Sequence, residues 1–197
     1  MKIVIIKYNA GNTNSVENAL QRLAIEPIIT DDKEVILSAD KVIFPGVGHA
    51  APTMKFLKER NLDQVIKNLK QPTLGICLGQ QLMCEHSEEG NVDGLGIFPI
   101  QVKKFENSAE KKVPQIGWNS ISNLKTNLFE NIFEQSFVYF VHSYYCALSS
   151  EYTIAQTDYI LNFSAALQKD NFYAVQFHPE KSAAIGHQIL KNFIEKI

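Results

Sequence analysis

The chain has 197 residues, of which 45% are hydrophobic and 20% charged, and its formal net charge is −2. This balance is typical of a globular protein with a sizeable core and gives no basic surplus for nucleic acid. No stretch approaches the ~20 apolar residues that a membrane helix needs. The opening apolar run is too short for a signal peptide, and the three cysteines have no paired spacing. A reduced, cytoplasmic protein is therefore expected, with no disulfide framework, no metal site and no membrane contact.

The first 86 residues alternate between short apolar runs and segments with helical spacing. The apolar runs predict strands at residues 2–6, 27–29, 41–44 and 73–76. Apolar residues at i, i+3, i+4 and i+7 predict helices at 15–23, 54–57, 62–69 and 79–85. This alternation is typical of a parallel sheet with helices on both faces.

The second half changes to short β-rich segments joined by turn residues. Strands are predicted at 97–103, 113–116, 137–142, 153–157, 165–168 and 172–176, and a terminal helix at 182–197. No stretch between the halves is long enough for a linker. We therefore expect a single α/β domain over residues 1–197, with three layers, a mostly parallel central sheet, helices on both faces and added β-hairpins.

The stretch around Cys77 indicates a nucleophile. An apolar run leads into Cys77, which stands between Gly75 and Gly79, and a helical pattern follows. Such spacing predicts a strand-to-helix turn so tight that side chains at the glycines would clash, as in a nucleophile elbow. The start of a helix also favours the thiolate, which is the nucleophilic form.

A histidine that ends an apolar run supplies the expected base. His178 precedes Pro179, which prevents the strand from continuing, and Glu180 stands two residues beyond the histidine. In an extended segment residues i and i+2 point to the same side, so Glu180 is expected to turn toward His178. Alone this spacing is weak, but with the cysteine it predicts a triad of nucleophile, base and orienting carboxylate.

A glycine-rich segment follows the strand at 41–44. Gly46 and Gly48 flank Val47, and glycines there let backbone N–H groups approach a ligand closely. One interpretation is an oxyanion hole, formed together with the N–H of Leu78. The other is an ordinary glycine-rich turn.

These motifs, GICLGQQ, VQFHPEKS and FPGVG, resemble the class I (triad) glutamine amidotransferases in their order and spacing. Three further stretches, AGN followed by SVENAL, PQIGWN, and YFVHSY, narrow the resemblance to the glutaminase subunits of imidazole glycerol phosphate synthases. The resemblance covers essentially the whole chain and implies a flavodoxin-like fold. It also implies an enzyme that hydrolyses L-glutamine without a cofactor or a metal.

The resemblance assigns roles to particular residues. Cys77 would attack the glutamine carboxamide, and His178, oriented by Glu180, would transfer the protons. The amino-acid head of glutamine would be held by Gly46, Gln81, Ser143 and Tyr144. Val47 and Gly48 would provide the oxyanion strand, beside Leu78.

The resemblance also implies a partner. This is a separate (β/α)₈ cyclase subunit, which would form a heterodimer with this chain and receive ammonia through an internal channel for histidine biosynthesis. Asn12, Trp118 and Lys181 match positions at which the family contacts its cyclase. Because the oxyanion strand of the family responds to the partner, we expect the hole to be unformed, and the activity low, in the free subunit.

The sequence departs from the family pattern at two positions, and three alternative functions stay open. Lys7 stands where many relatives carry an acidic residue, and Gln80 where others often carry Met. The alternatives are a cysteine hydrolase that transfers no ammonia, an inactive partner subunit, and a same-family amidotransferase serving surface-sugar biosynthesis.

Several residues also have plain structural interpretations. Cys84 and Cys146 are expected to pack in the core, with Cys84 on the helix after the elbow. His86 is expected to be a solvent-exposed helix residue, and Glu88 and Glu89 are expected to be solvated surface charges. A lone tryptophan, Trp118, would by default be buried.

Overall fold

A seven-stranded sheet organises the fold, in a computed structural model that describes residues 1–8, 13–106, 108 and 111–197. The strands of the protein in chain order are β1 (Ile3–Ile6), β2 (Ile28–Thr30), β3 (Lys41–Gly46), β4 (Thr73–Cys77), β5 (Cys84–Ser87), β6 (Val92–Asp93), β7 (Phe98–Lys104), β8 (Gln115–Ser120), β9 (Phe137–His142), β10 (Tyr144–Cys146), β11 (Thr153–Asp158), β12 (Asn162–Lys169) and β13 (Phe172–Val175). The helices are α1 (Thr13–Gln21), α2 (Lys33–Leu37), α3 (Ala50–Glu59), α4 (Leu62–Lys67), α5 (Leu78–Met83) and α6 (Ala183–Lys196), with 3₁₀ turns at Asn127–Phe129 and Pro179–Lys181.

The strand order of the large sheet is β11-β12-β13-β4-β3-β1-β2. The five strands from β13 to β2 run parallel, whereas β11 and β12 are antiparallel additions at one edge. Because β3, β4 and β13 are parallel neighbours, their carboxyl ends meet at the same edge of the sheet. This edge carries the predicted site, as in other open α/β sheets.

Both faces of the sheet are covered by helices, which explains the unbroken apolar runs in its strands. In β1, Ile3 and Ile5 face a core shared with α1 and α6. Val4 and Ile6 face a second core shared with α2, α3, α4 and α5. The predicted α/β class, with a mostly parallel sheet between two helical layers, is confirmed.

The prediction of a helix over residues 79–85 is wrong at its end. Helix α5 stops at Met83, and Cys84 begins strand β5. The carbonyl oxygens of Leu82 and Met83 accept hydrogen bonds from Leu95 and Ile97, at 2.7 and 2.9 Å, instead of continuing the helix. Tertiary hydrogen bonds thus override the local helical pattern, and His86 lies on a strand, where it contacts Asp93.

The β-rich half of the chain forms two further sheets besides the antiparallel edge. One has the order β10-β7-β5-β6, and the other is a ribbon of β8 and β9. Cys84 and Cys146 are both fully buried, as expected. Across the described residues, no helix is both long and apolar enough to cross a membrane.

Candidate active site

Cys77 occupies a strained turn between β4 and α5. Its backbone has φ 53° and ψ −107°, which is uncommon for a residue with a side chain and costs conformational energy. The turn is held tightly on both sides: a Cβ at Gly75 would lie 2.8 Å from Met83 Sδ, and one at Gly79 would overlap the carbonyl oxygen of Phe44. The sequence prediction of a turn that excludes side chains at both glycines is confirmed.

The adjacent strand brings His178 toward Cys77. β13 pairs with β4 in parallel, with Val175 opposite Ile76, so the residues that follow both strands lie at the same edge. His178 Nδ1 is 2.8 Å from Glu180 Oε1, and both side chains are only 2% exposed. Glu180 reaches the histidine through the 3₁₀ turn Pro179–Lys181. The predicted contact between His178 and Glu180 is therefore present, but the extended backbone from which it was predicted is wrong.

Electrostatics favour a charged His178. Burial opposes the imidazolium, but the thiolate of Cys77 and the carboxylate of Glu180 outweigh burial and raise the pKa of His178 to about 10. Since Nδ1 is used by Glu180, the imidazolium proton that can be transferred is on Nε2. Within the described part of the chain, Nε2 has no hydrogen-bond partner. A charged His178 therefore lies beside the sulfur of Cys77, with an Nε2 proton that is free to move.

A cavity of about 310 Å³ lies above the thiol. Cys77 lines it, together with six residues predicted for the oxyanion hole or for glutamine binding: Val47, Gly48, Leu78, Gln81, Ser143 and Tyr144. A larger open hollow of about 740 Å³ lies between Lys103 and Leu161, and it contains none of the predicted site residues.

Gly46 does not line this cavity. It pairs with Cys77 across the sheet and packs beneath the start of α5. A Cβ at Gly46 would lie 2.5 Å from Tyr8 Oη, 2.7 Å from Leu78 Cβ and 2.9 Å from Gly79 N. Its contribution in this structure is close packing behind the elbow.

Glu89 is a cavity residue that sequence reasoning missed. Its side chain is only 14% exposed, and its carboxylate accepts a hydrogen bond from Ala50 N at 2.8 Å and lies 3.2 Å from His49 Nδ1. The interpretation of Glu89 as solvated charge is therefore wrong. Among the described residues, it is the only carboxylate that lines the cavity. Nothing local in the sequence marks it, because the turn between β5 and β6, which carries Glu89, meets the start of α3 only in the fold.

His142 also lines the cavity, and it is neutral. Burial, aided by the nearby charge of His178, lowers the pKa of His142 to about 4, although a hydrogen bond to Tyr144 O acts in the opposite direction. That bond is 2.7 Å long and is donated by Nδ1. The imidazole therefore fixes the carbonyl of Tyr144 at the cavity wall.

Two of the three predicted interface residues, Trp118 and Lys181, lie on the surface near the triad. Trp118 is 52% exposed on β8, so burial in the core, the default for a lone tryptophan, is wrong. Its ring packs edge-on against Tyr139 at 6.0 Å, and Lys181 Nζ lies 6.0 Å from the same tyrosine ring. The third predicted residue, Asn12, lies outside the described residues.

A cysteine, a buried histidine and a carboxylate at the ends of adjacent parallel strands define a thiol-dependent enzyme of α/β fold. The class-I glutamine amidotransferase family model matches residues 4–197, and the chain belongs to this family.

Curated relatives match over the full length. The chain is 62% identical over 196 residues to "Imidazole glycerol phosphate synthase subunit HisH" of Bacteroides fragilis strain YCH46, which covers 99% of this chain and 100% of the relative. It is 46% identical over 198 residues to the protein of the same name from Haemophilus influenzae strain Rd, covering 100% and 98%. A solved structure described as a glutamine amidotransferase shares the fold, with a TM-score of 0.72 at 16% identity, covering 98% of this chain and 97% of that chain.

Proposed function

We propose that this chain is the glutaminase subunit of an imidazole glycerol phosphate synthase. In this role it hydrolyses L-glutamine to glutamate and ammonia and supplies the ammonia to a (β/α)₈ cyclase subunit. The observation that carries the proposal is the buried pair of His178 and Glu180 beside Cys77, under a cavity of about 310 Å³. The names of the full-length relatives support the same activity.

The chemistry follows from the positions of the three side chains. The thiolate of Cys77 adds to the side-chain carboxamide carbon of glutamine, and the carbonyl electrons move onto oxygen. As the C–N bond breaks, the Nε2 proton of His178 passes to the leaving nitrogen, which departs as ammonia and leaves a glutamyl thioester. Water then gives a proton to His178 and adds to the thioester. The C–S bond breaks, which releases glutamate and restores the thiolate.

The cavity wall suggests how glutamine would be held. The carboxylate of Glu89 is suited to the α-ammonium group of the amino acid, because a partly buried charge interacts strongly with an opposite charge. Ser143 and Tyr144 line the same cavity. The N–H of Leu78 belongs to the first turn of α5 and has no intrahelical acceptor, so it can stabilise the oxyanion. Val47 and Gly48 would supply the second donor.

An exposed apolar surface on the β8–β9 ribbon supports a partner. Ile116, Trp118 and Phe137 are each more than half exposed. They share one face of the ribbon. Ile116, Trp118 and Ser120 are spaced two residues apart along β8, so their side chains point to the same side. Phe137 lies directly opposite Ser120 on β9, so its side chain points to that side as well. A contiguous apolar patch of this kind marks a protein-binding site. The (β/α)₈ cyclase, the internal ammonia channel, the contacts of Asn12 and Lys181, and the cytoplasmic setting remain proposals.

The decisive experiment compares two nitrogen sources. The purified chain is assayed with its cyclase and the cyclase's nucleotide substrate, once with glutamine and once with an ammonium salt. Cys77→Ala should abolish glutamine-dependent synthesis and leave ammonium-dependent synthesis intact. Glutamine-dependent synthesis that survives Cys77→Ala would refute the assignment of the nucleophile.

The same assay separates the alternatives. A hydrolase that transfers no ammonia would release ammonia equally with and without the cyclase, whereas an unformed oxyanion hole predicts low turnover in the free subunit. An amidotransferase of surface-sugar biosynthesis would be stimulated by a different cyclase-like protein. No ammonia release under any of these conditions would contradict the proposed activity.

A further inference from the structure

A buried glutamine amide, that of Gln176, lies against the sulfur of Cys77. Gln176 directly follows β13, and its backbone N–H is fixed by a 2.8 Å hydrogen bond to Ala165 O. The side chain is fully buried, and its Nε2 donates to Cys77 Sγ at 3.7 Å. This contact is separate from the charge that His178 supplies.

The orientation of this amide is fixed by a chain of hydrogen bonds that begins at a backbone carbonyl. The backbone carbonyl oxygen of Tyr144 can only accept hydrogen bonds, and it accepts one from Gln81 Nε2 at 2.8 Å. The same Nε2 donates to Gln176 Oε1 at 2.9 Å. With its oxygen held by Gln81, Gln176 must turn its N–H₂ group toward the sulfur. The carbonyl of Tyr144 thus fixes the orientation of the Gln81 amide, and the Gln81 amide fixes that of Gln176.

We propose that Gln176 is a catalytic residue that stabilises the thiolate of Cys77 by donating its amide N–H to Sγ, with Gln81 as the positioning residue that orients the amide. A thiolate is a strong acceptor, whereas a neutral thiol is a weak one, so the bond favours the charged form. Burial strengthens it, because the Gln176 amide is fully buried and no water competes for its N–H. The available alternative for a thiol, a bond to Val141 O, is 3.9 Å long. The inference rests on the proposed function, in which Cys77 attacks glutamine.

The test measures the rate of Cys77 alkylation by iodoacetamide as a function of pH, in the full-length chain. Cys84 and Cys146 are fully buried, so Cys77 is the reactive thiol, and Cys77→Ala provides the blank. Gln176→Met keeps the volume and removes the donor. It should move the midpoint of the pH profile upward by about one unit and so slow alkylation about tenfold at any fixed pH below that midpoint, the effect of losing one hydrogen bond to a charged group.

A second variant and a control make the test specific. Gln176→Glu keeps an oxygen for Gln81 but replaces the donor with a carboxylate, which repels the thiolate and should move the midpoint further. Gln80→Met is the matched control: Gln80 is equally buried, but its amide contacts Ser164 O at 3.4 Å, and its alkylation profile should match that of the unmodified chain.

Turnover with the cyclase provides an independent readout. Since Gln176 does not line the cavity, Gln176→Met should lower kcat for glutamine about tenfold and change KM little. If both Gln176 variants keep the alkylation profile of the unmodified chain, the inference is overturned, even where turnover falls. Because alkylation needs no glutamine, failure of the unmodified chain to release ammonia would refute the proposed function alone.

Discussion

Gly46→Ala tests whether the elbow depends on close packing behind it. The backbone of Gly46 does not require glycine, since its φ lies outside the positive range. The added methyl carbon would instead meet Tyr8 Oη at 2.5 Å, Leu78 Cβ at 2.7 Å and Gly79 N at 2.9 Å. Ordinary contacts to a Cβ begin at 3.4 Å, so the start of α5 would have to move by more than half an ångström.

The cost of this movement can be estimated from its surroundings. Leu78, Gly79 and the Tyr8 ring are all buried, and overpacking a core of this kind costs roughly 1–3 kcal/mol. Three simultaneous contacts place Gly46→Ala near the upper end of that range. For a chain of this length each kcal/mol lowers Tm by about 2–4 °C, so thermal unfolding should show a decrease of about 5–10 °C. Glutamine turnover should fall as well, because Leu78 N and Cys77 move with the helix.

Tyr8→Phe provides a sharp control for Gly46→Ala. It removes the hydroxyl that the new methyl meets, although it also removes the hydrogen bond from Tyr8 to Pro45 O. The destabilisation by the double variant should therefore be smaller than the sum of those by the single variants. Gly96→Ala has open space around its Cβ but a φ of +67°, so it should lower Tm through backbone strain alone and leave turnover unchanged. Strict additivity, or an unchanged Tm in Gly46→Ala, would refute the steric argument.

Three further predictions concern charge and the partner. Cys77→Ala should lower the NMR titration midpoint of His178 from about 10, because the thiolate is the largest charge favouring the imidazolium; an unchanged midpoint would contradict that origin. His142 is neutral when folded, with a pKa of about 4 against 6.5 when unfolded, so stability should fall by about 3 kcal/mol as pH drops from 6.5 toward 4. Urea unfolding should show this slope flattened in His142→Asn, and an identical slope would exclude His142 as its source. Trp118→Ala should weaken cyclase binding at least tenfold in calorimetry with little change in Tm, whereas unchanged affinity would exclude Trp118 from the interface.

The sheet was predictable because its strands are buried on both faces and therefore appear as short unbroken apolar runs. Helix α2 was not predicted: it has five residues, and its start depends on Asp32, whose side chain accepts a hydrogen bond from Val35 N at 3.1 Å. The end of α5 could not be predicted either, because residues 95–97 supply the hydrogen bonds that stop it. Local pattern fails where distant backbone groups decide the outcome.

The candidate site divides in the same way. Cys77, His178 and Glu180 stand in motifs, and the structure brings them together at one sheet edge. Glu89 contacts α3 across the fold and has no local signal. Gln176 did have one, because residues i and i+2 of an extended segment share a side, and Gln176 stands two before His178. The same spacing rule predicted the approach of Glu180, which in the structure lies in a 3₁₀ turn.

His178 is joined through backbone hydrogen bonds to the surface proposed for the partner. His178 N donates to Tyr139 O at 2.9 Å, and Tyr139 N donates to Ser182 Oγ at 2.9 Å. Ser182 in turn donates to His178 O at 2.6 Å, which closes a ring of three hydrogen bonds. Tyr139 lies on β9, and its ring contacts Trp118 on the exposed ribbon. A subunit bound to that ribbon would therefore press on a strand whose backbone holds His178, so partner binding and triad geometry share one set of hydrogen bonds.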